Sequence, residues 1–233
     1  MPVRVVLVVD TGVDDALALM VAARHPDLDL CGVICTGGNV PLRRVLANTV
    51  HVLGVLGVAA PVASGADRRL DGTPFAVRAE HGSDGLAGLA PPSPDLAKTW
   101  PPPGAVASRD AVTVSLGPLT SLVGLVTGRV VASYARTGEA NHGLDPVAAG
   151  VIASSGRVVD HVDAGDGVLA GDVAGPLSRV DDRLCRLAGG LLAHQARRGA
   201  GLGDAAALLR VAEPELDRGR HTQRFVGLLL GED

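Results

Sequence analysis

The feature that most constrains this chain lies at its start. Val3-Arg4-Val5-Val6-Leu7-Val8-Val9 runs into Asp10-Thr11-Gly12-Val13-Asp14-Asp15, and Ala16 to Arg24 then reads as a helix stopped by Pro26. Apart from Arg4 the first run is aliphatic and mostly β-branched. That pattern predicts a strand buried on both faces, as in a parallel sheet. The pattern then repeats. Leu28 to Cys35 is a second strand, Thr36-Gly37-Gly38-Asn39 a loop, and Pro41 to Gly54 a helix with Leu42, Val45, Leu46, Val50 and Leu53 at helical spacing. Strand, loop and helix in alternation predict βαβ units and an α/β fold with an open, mostly parallel sheet flanked by helices, Rossmann-like in kind. Ligands of such folds bind outside the carboxyl ends of the strands, where both loops fall.

Further along, Leu70 to Gly88 is rich in glycine and charge. A Pro-rich stretch at about 90–104 carries Trp100 and reads as a surface loop within one domain over 1–233, because the same pattern resumes after it. Ala111 to Leu116 is a buried strand, followed by a helix from Leu119 to about Val126 and a short strand Val130 to Ser133. Asp145-Pro146 opens a helix through Ser155 with proline at its first position. Val158 to Val162 reads as a strand, and two helices, Asp181 to Arg198 and Asp204 to Ala212, close the chain.

Composition excludes several classes. With 47% hydrophobic and 20% charged residues the chain is a globular protein, not a disordered one. Aromatics are 2% and the net charge is −4, so there is neither a base-stacking platform nor a basic stripe for a nucleic-acid backbone. The start lacks a secretory signal, and no segment has the length of a membrane helix, so neither a membrane nor export is expected. The three cysteines are an odd number. Cys31 and Cys35 stand four apart in a strand, which predicts that they share a face as buried free thiols in a reducing cytoplasm.

Asp10, Asp14 and Asp15 are the chemical centre. Three carboxylates at a strand end and a helix start repel one another. Keeping them together requires a cation or raised pKa values, and oxygen-only ligands suit a hard divalent ion such as Ca²⁺ or Mg²⁺. The alternative is that Asp14 or Asp15 only caps the helix.

The segment Val8-Val9-Asp10-Thr11-Gly12-Val13-Asp14-Asp15-Ala16-Leu17-Ala18 resembles the D-x-D-x-G-x-D-D-A-x-A signature of the inosine–uridine-type nucleoside hydrolases. Other segments are similar to that family's in the same order: Gly37-Gly38-Asn39, His81-Gly82-Ser83-Asp84-Gly85-Leu86, Leu116-Gly117-Pro118-Leu119-Thr120-Ser121, Glu139-Ala140-Asn141 with Asp145-Pro146, and Gly203-Asp204-Ala205. The resemblance implies the family's fold and hydrolysis of the N-glycosidic bond of a ribonucleoside. It implies Ca²⁺ held by Asp10, Asp15, Asp204 and the backbone carbonyl of Leu116, with Asp10 as general base toward water. Asp14, Asn39 and Asn141 would hold the ribose hydroxyls and Glu139 the 5′-hydroxyl. His81 would either orient a loop at the site or lie exposed on it. A homodimer or homotetramer is implied in the same way.

The chain departs from the signature in places that matter. Val8 stands for its first aspartate, Gly203 for a histidine near the leaving base, Ala140 for an aromatic and Ser121 for an asparagine. The stretches before Glu139 and before Asp204 are compressed, so Asp204 reads either as a metal ligand or as an N-cap. His142, beside Asn141, is a candidate to reach the base. Three functions fit: a nucleoside hydrolase, a binding protein that keeps the ribose and metal grip without turnover, and a family member turned to a biosynthetic reaction on a ribosylated compound.

Overall fold

The computed structural model describes residues 1–92, 99–134, 141–156, 159–163, 169 and 173–232. Six strands, β1 (Val3–Val9), β2 (Leu28–Cys35), β3 (Val62–Ser64), β4 (Val112–Ser115), β5 (Val130–Tyr134) and β6 (Val159–Asp163), form one sheet in the order β3-β2-β1-β4-β5-β6. Every pairing is parallel. The order reverses between β1 and β4, which opens a crevice at their carboxyl ends.

The helices are α1 (Val13–Arg24), α2 (Leu42–Leu56), α3 (Asn141–Leu144), α4 (Pro146–Ser154), α5 (Gly175–Ser178), α6 (Arg183–Arg197), α7 (Asp204–Ala212) and α8 (His221–Leu230). Alternation along β1 sorts the core into two layers. Val5, Leu7 and Val9 pack with α1, α2, α6, α7 and α8, while Val6 and Val8 pack with Leu119, Leu122, Val130 and Ile152 on the other face. This two-sided burial is what the unbroken aliphatic run predicts.

Helices α1 and α7 lie side by side in the same sense. Asp14 and Asp15 at the start of α1 meet Asp204 at the start of α7. At the far ends, Nε2 of the buried His25 lies 2.7 Å from Glu213 Oε1. Both N-terminal dipoles therefore point at one spot and favour negative charge there.

The structure corrects four expectations. Cys31 and Cys35 lie on opposite faces, because the β1–β2 register slips by one residue between Val5 and Val6 and the bulge falls at Cys31. Cys31 is half-exposed, whereas Cys35 and Cys185 are buried, and all three are free. The helix expected over Leu119 to Val126 is only a 3₁₀ turn, Leu119–Leu122, since the chain becomes extended at Val123 to reach β5. A third helix, α8, follows the two expected at the chain's end, and β3 was not foreseen at all. The Pro-rich loop falls partly outside the described residues; its end forms a 3₁₀ turn at Pro103–Ala105. Among the described residues no helix is long and apolar enough to cross a membrane.

Candidate active site

The crevice between β1 and β4 is lined by the loops the sequence singled out. Asp10 follows the last residue of β1, and Val8 O accepts hydrogen bonds from the N–H groups of Leu116 and Gly117 at the end of β4. The strand ends thus bring two segments a hundred residues apart into one floor.

Four carboxylates meet on it. Ligand atoms of Asp14, Asp15 and Asp204 lie within 4.8 Å of one another. Asp10 is close enough to repel Asp15 and Asp204 and to be repelled by Asp14. Asp10, Asp15 and Asp204 are buried and Asp14 is partly exposed. The surrounding chain supplies donors. Asp10 Oδ2 accepts from Asn39 N (2.9 Å). Asp15 accepts from Asp10 N (3.3 Å), Gly12 N (2.9 Å) and Asn39 Nδ2 (3.2 Å). Asp204 Oδ1 accepts from Ser133 Oγ (2.7 Å).

These donors do not offset the loss of water. Burial, then Asp14, pushes the Asp10 carboxyl up to about 7 against the pull of the Asn39 N–H. Burial and the neighbouring aspartates hold Asp15 and Asp204 well above the usual carboxylate range. Arg78 opposes the rise at Asp10 and Asp204. Asp10 Oδ1 is buried and has no hydrogen-bond partner among the described residues. A cluster of hard oxygen donors with an orphaned carboxylate oxygen fits a hard divalent cation.

The alternatives left open by the sequence now separate. Asp204 is not the N-cap of α7; Gly203 holds that position, and the Asp204 side chain turns into the cluster. Asp15 reaches back to Gly12 N and also joins the cluster, so capping and clustering coincide. His81 is buried, not exposed: its Nδ1 accepts from Val13 N (3.1 Å) and lies 3.5 Å from Asp14 Oδ1. That hydrogen bond puts the ring proton on Nε2. The Asn141 side chain donates to the Leu116 carbonyl, which places both at the crevice. Asn39 lines it through its contacts to Asp10 and Asp15. Glu139 lies outside the described residues. Ser133, Arg78 and Asn48 bear on the site and were missed. Only Ser133 left a trace in the sequence, as the polar residue near the end of a predicted strand.

A model of the family described as inosine-uridine preferring nucleoside hydrolase matches residues 5–129. The fold and the carboxylate crevice define a nucleoside-hydrolase-like α/β protein, and the chain belongs to that family. A Corynebacterium ammoniagenes protein, described as uncharacterized and lying in the ribF 3′ region, is 47% identical over 70 residues, 30% of this chain and 74% of that one. The pyrimidine-specific ribonucleoside hydrolase RihB of Escherichia coli is 35% identical over 85 residues, which is 36% of this chain but only 27% of RihB. Among solved structures, the plant nucleoside hydrolase PpNRh1 superposes with a TM-score of 0.79 at 25% identity, over 93% of this chain and 80% of that one. The purine-preferring ribonucleoside hydrolase of Gardnerella vaginalis shares the fold, with a TM-score of 0.79 at 22% identity over 91% and 81% of the two chains.

Proposed function

We propose that this protein hydrolyses the N-glycosidic bond of a ribonucleoside or a related ribosylated metabolite, with Ca²⁺ as its cation. The observation that carries the reading is the close group of Asp14, Asp15 and Asp204, with Asp10 and its orphaned oxygen beside it, set at the switch point of the sheet. Asp10, Asp15, Asp204 and the Leu116 carbonyl would hold the ion. Bound there, it would neutralise the cluster and organise water and sugar hydroxyls in one geometry.

The residues do the rest. Asp10 takes the proton of the attacking water as the C1′–N bond breaks. The transition state carries positive charge on the ribosyl ring, and the anionic oxygens around it stabilise that charge. Asp14, Asn39 and Asn141 bind ribose hydroxyls and Glu139 the 5′-hydroxyl, and His81 holds the Val13 backbone beside them. We also take the chain as a single domain over 1–233 acting in the cytoplasm, as the repeating strand–helix pattern and the free cysteines suggest, and as a homodimer or homotetramer, which family resemblance supports.

The test is a panel of purine and pyrimidine ribonucleosides with Ca²⁺, read by chromatography of the free base. At least one is cleaved, and cleavage disappears on chelation and in Asp10→Ala. Calorimetric binding without any product would replace the hydrolase by a binding protein. Neither binding nor product would end the reading.

A further inference from the structure

We infer that Asn48, on α2, is a positioning residue that locks together the two loops forming one wall of the crevice. The inference rests on the site proposed above. Asn48 is fully buried, and its amide nitrogen donates to two backbone carbonyls from different loops: Thr11 O (3.4 Å) and Asp84 O (2.9 Å). Thr11 sits between Asp10 and Gly12. Asp84 belongs to the loop that begins at His81.

Each loop is organised internally and needs a tie to the other. The Asp84 carboxylate collects Leu86 N (3.1 Å), Gly88 N (3.0 Å) and Ala90 N (3.1 Å), which knots the second loop. The His81–Val13 hydrogen bond is one tie between the loops. Asn48 is a second, reaching both loops from one nitrogen. The backbone of the second loop lies directly on the amide: a Cβ at Gly85, whose φ is +82°, would stand 2.8 Å from Asn48 Nδ2. The neighbouring residue of α2 grips the same target. Thr49 Oγ1 donates to Val45 O (2.9 Å) and accepts from the Thr11 hydroxyl (2.6 Å).

The chemistry demands an amide. Two acceptors met by one short side chain require two hydrogens on one nitrogen, which asparagine supplies. A residue chosen for packing alone would leave nothing unsatisfied, yet Asn48 Oδ1 is buried with no partner among the described residues. The donors are held at the cost of the stranded acceptor. Thr11 directly follows Asp10, so a group that fixes the Thr11 carbonyl acts on the proposed ligand shell at one remove.

The test compares the wild-type chain with Asn48→Asp, which keeps the shape without donors, and Asn48→Leu. Two readouts are taken: Ca²⁺ affinity by calorimetry, and hydrogen–deuterium exchange of segments 10–16 and 82–90 in the absence of added metal. Both variants weaken Ca²⁺ binding by about tenfold or more and speed exchange in the two segments together, while the amides of β1 and β2 stay protected. If neither variant folds, Asn48→Ser, with one donor, carries the same test. A lowered melting temperature with unchanged Ca²⁺ affinity, or faster exchange confined to α2, makes Asn48 an ordinary core residue and overturns the inference. A wild type that binds no Ca²⁺ ends the metal reading alone. The exchange data then still decide Asn48: joint loosening of the two segments upholds its role, and its absence refutes it.

Discussion

Asp10 combines two costs that a merely structural residue would avoid, a desolvated charge and an unpaired oxygen. Its replacement should therefore separate function from stability. Asp10→Asn keeps the shape and the acceptor for Asn39 N while removing the charge. We expect nucleoside cleavage to fall by about 10²–10⁴, whereas the chelated protein melts at or above the wild-type temperature. Steady-state kinetics and thermal melts in chelator measure the two halves. Gly203 is the opposite case. Its φ is +60°, and a Cβ there would lie 2.8 Å from Asp14 Cβ and 3.0 Å from Asp14 Oδ2. Gly203→Ala should cost about 1–3 kcal/mol in urea unfolding and weaken nucleoside binding, read as a raised KM, by pushing Asp14 out of place. The missing histidine side chain is thus part of how this crevice is packed, because the backbone at 203 occupies the flank of Asp14.

At the scale of elements, Asp145 shows how one residue sets a junction. It caps α4 by accepting from Ala148 N (2.9 Å), and its other oxygen accepts from Leu70 N (2.7 Å) and Thr120 Oγ1 (2.7 Å). Asp145→Ala strands all three donors and should lower stability by about 2–4 kcal/mol, read from chemical unfolding. The Asp-Pro helix start was legible in the sequence, but the two distant partners were not. The same contrast holds across the molecule. Strand β1 could be read because its nearly unbroken aliphatic run leaves no other burial, and β2 because its apolar residues lie between the stop at Pro26 and the Gly37-Gly38 loop. β3 could not, since three residues of Val-Ala-Ser carry no period. Helix α8 begins without a capping side chain and so has no start signal. In the site, Asp10, Asp14 and Asp15 are neighbours in sequence and announce themselves. Ser133 and Asn48 act on partners 71 and 37 positions away, and only the fold supplies that adjacency.

The whole molecule is organised so that its two ends meet at the cluster: Asp10, Asp14 and Asp15 come from the first strand and helix, Asp204 from α7. A cation shared among them bridges nearly the full length of the chain, so its binding should appear as global stability. The pH dependence fixes the sign. The Asp10 carboxyl rises in the fold from 3.8 to about 7, and Asp15 and Asp204 are raised as well. Groups raised in this way favour the metal-free fold at low pH; for Asp10 that contribution fades as pH climbs from about 3.8 through about 7. Ion binding requires the ionised forms and so strengthens over the same interval. The difference in melting temperature with and without Ca²⁺ should therefore widen with pH. With Ca²⁺ at a hundred times its dissociation constant, the gain is about 2.7 kcal/mol, or about 5–10 °C for a chain of this size. We expect that shift at pH 8 and less than about 2 °C at pH 5 with the same Ca²⁺ concentration. Asp204→Asn removes one carboxylate and should flatten the dependence. An equal shift at both pH values would mean that the ion binds elsewhere, on carboxylates the fold leaves ionised throughout.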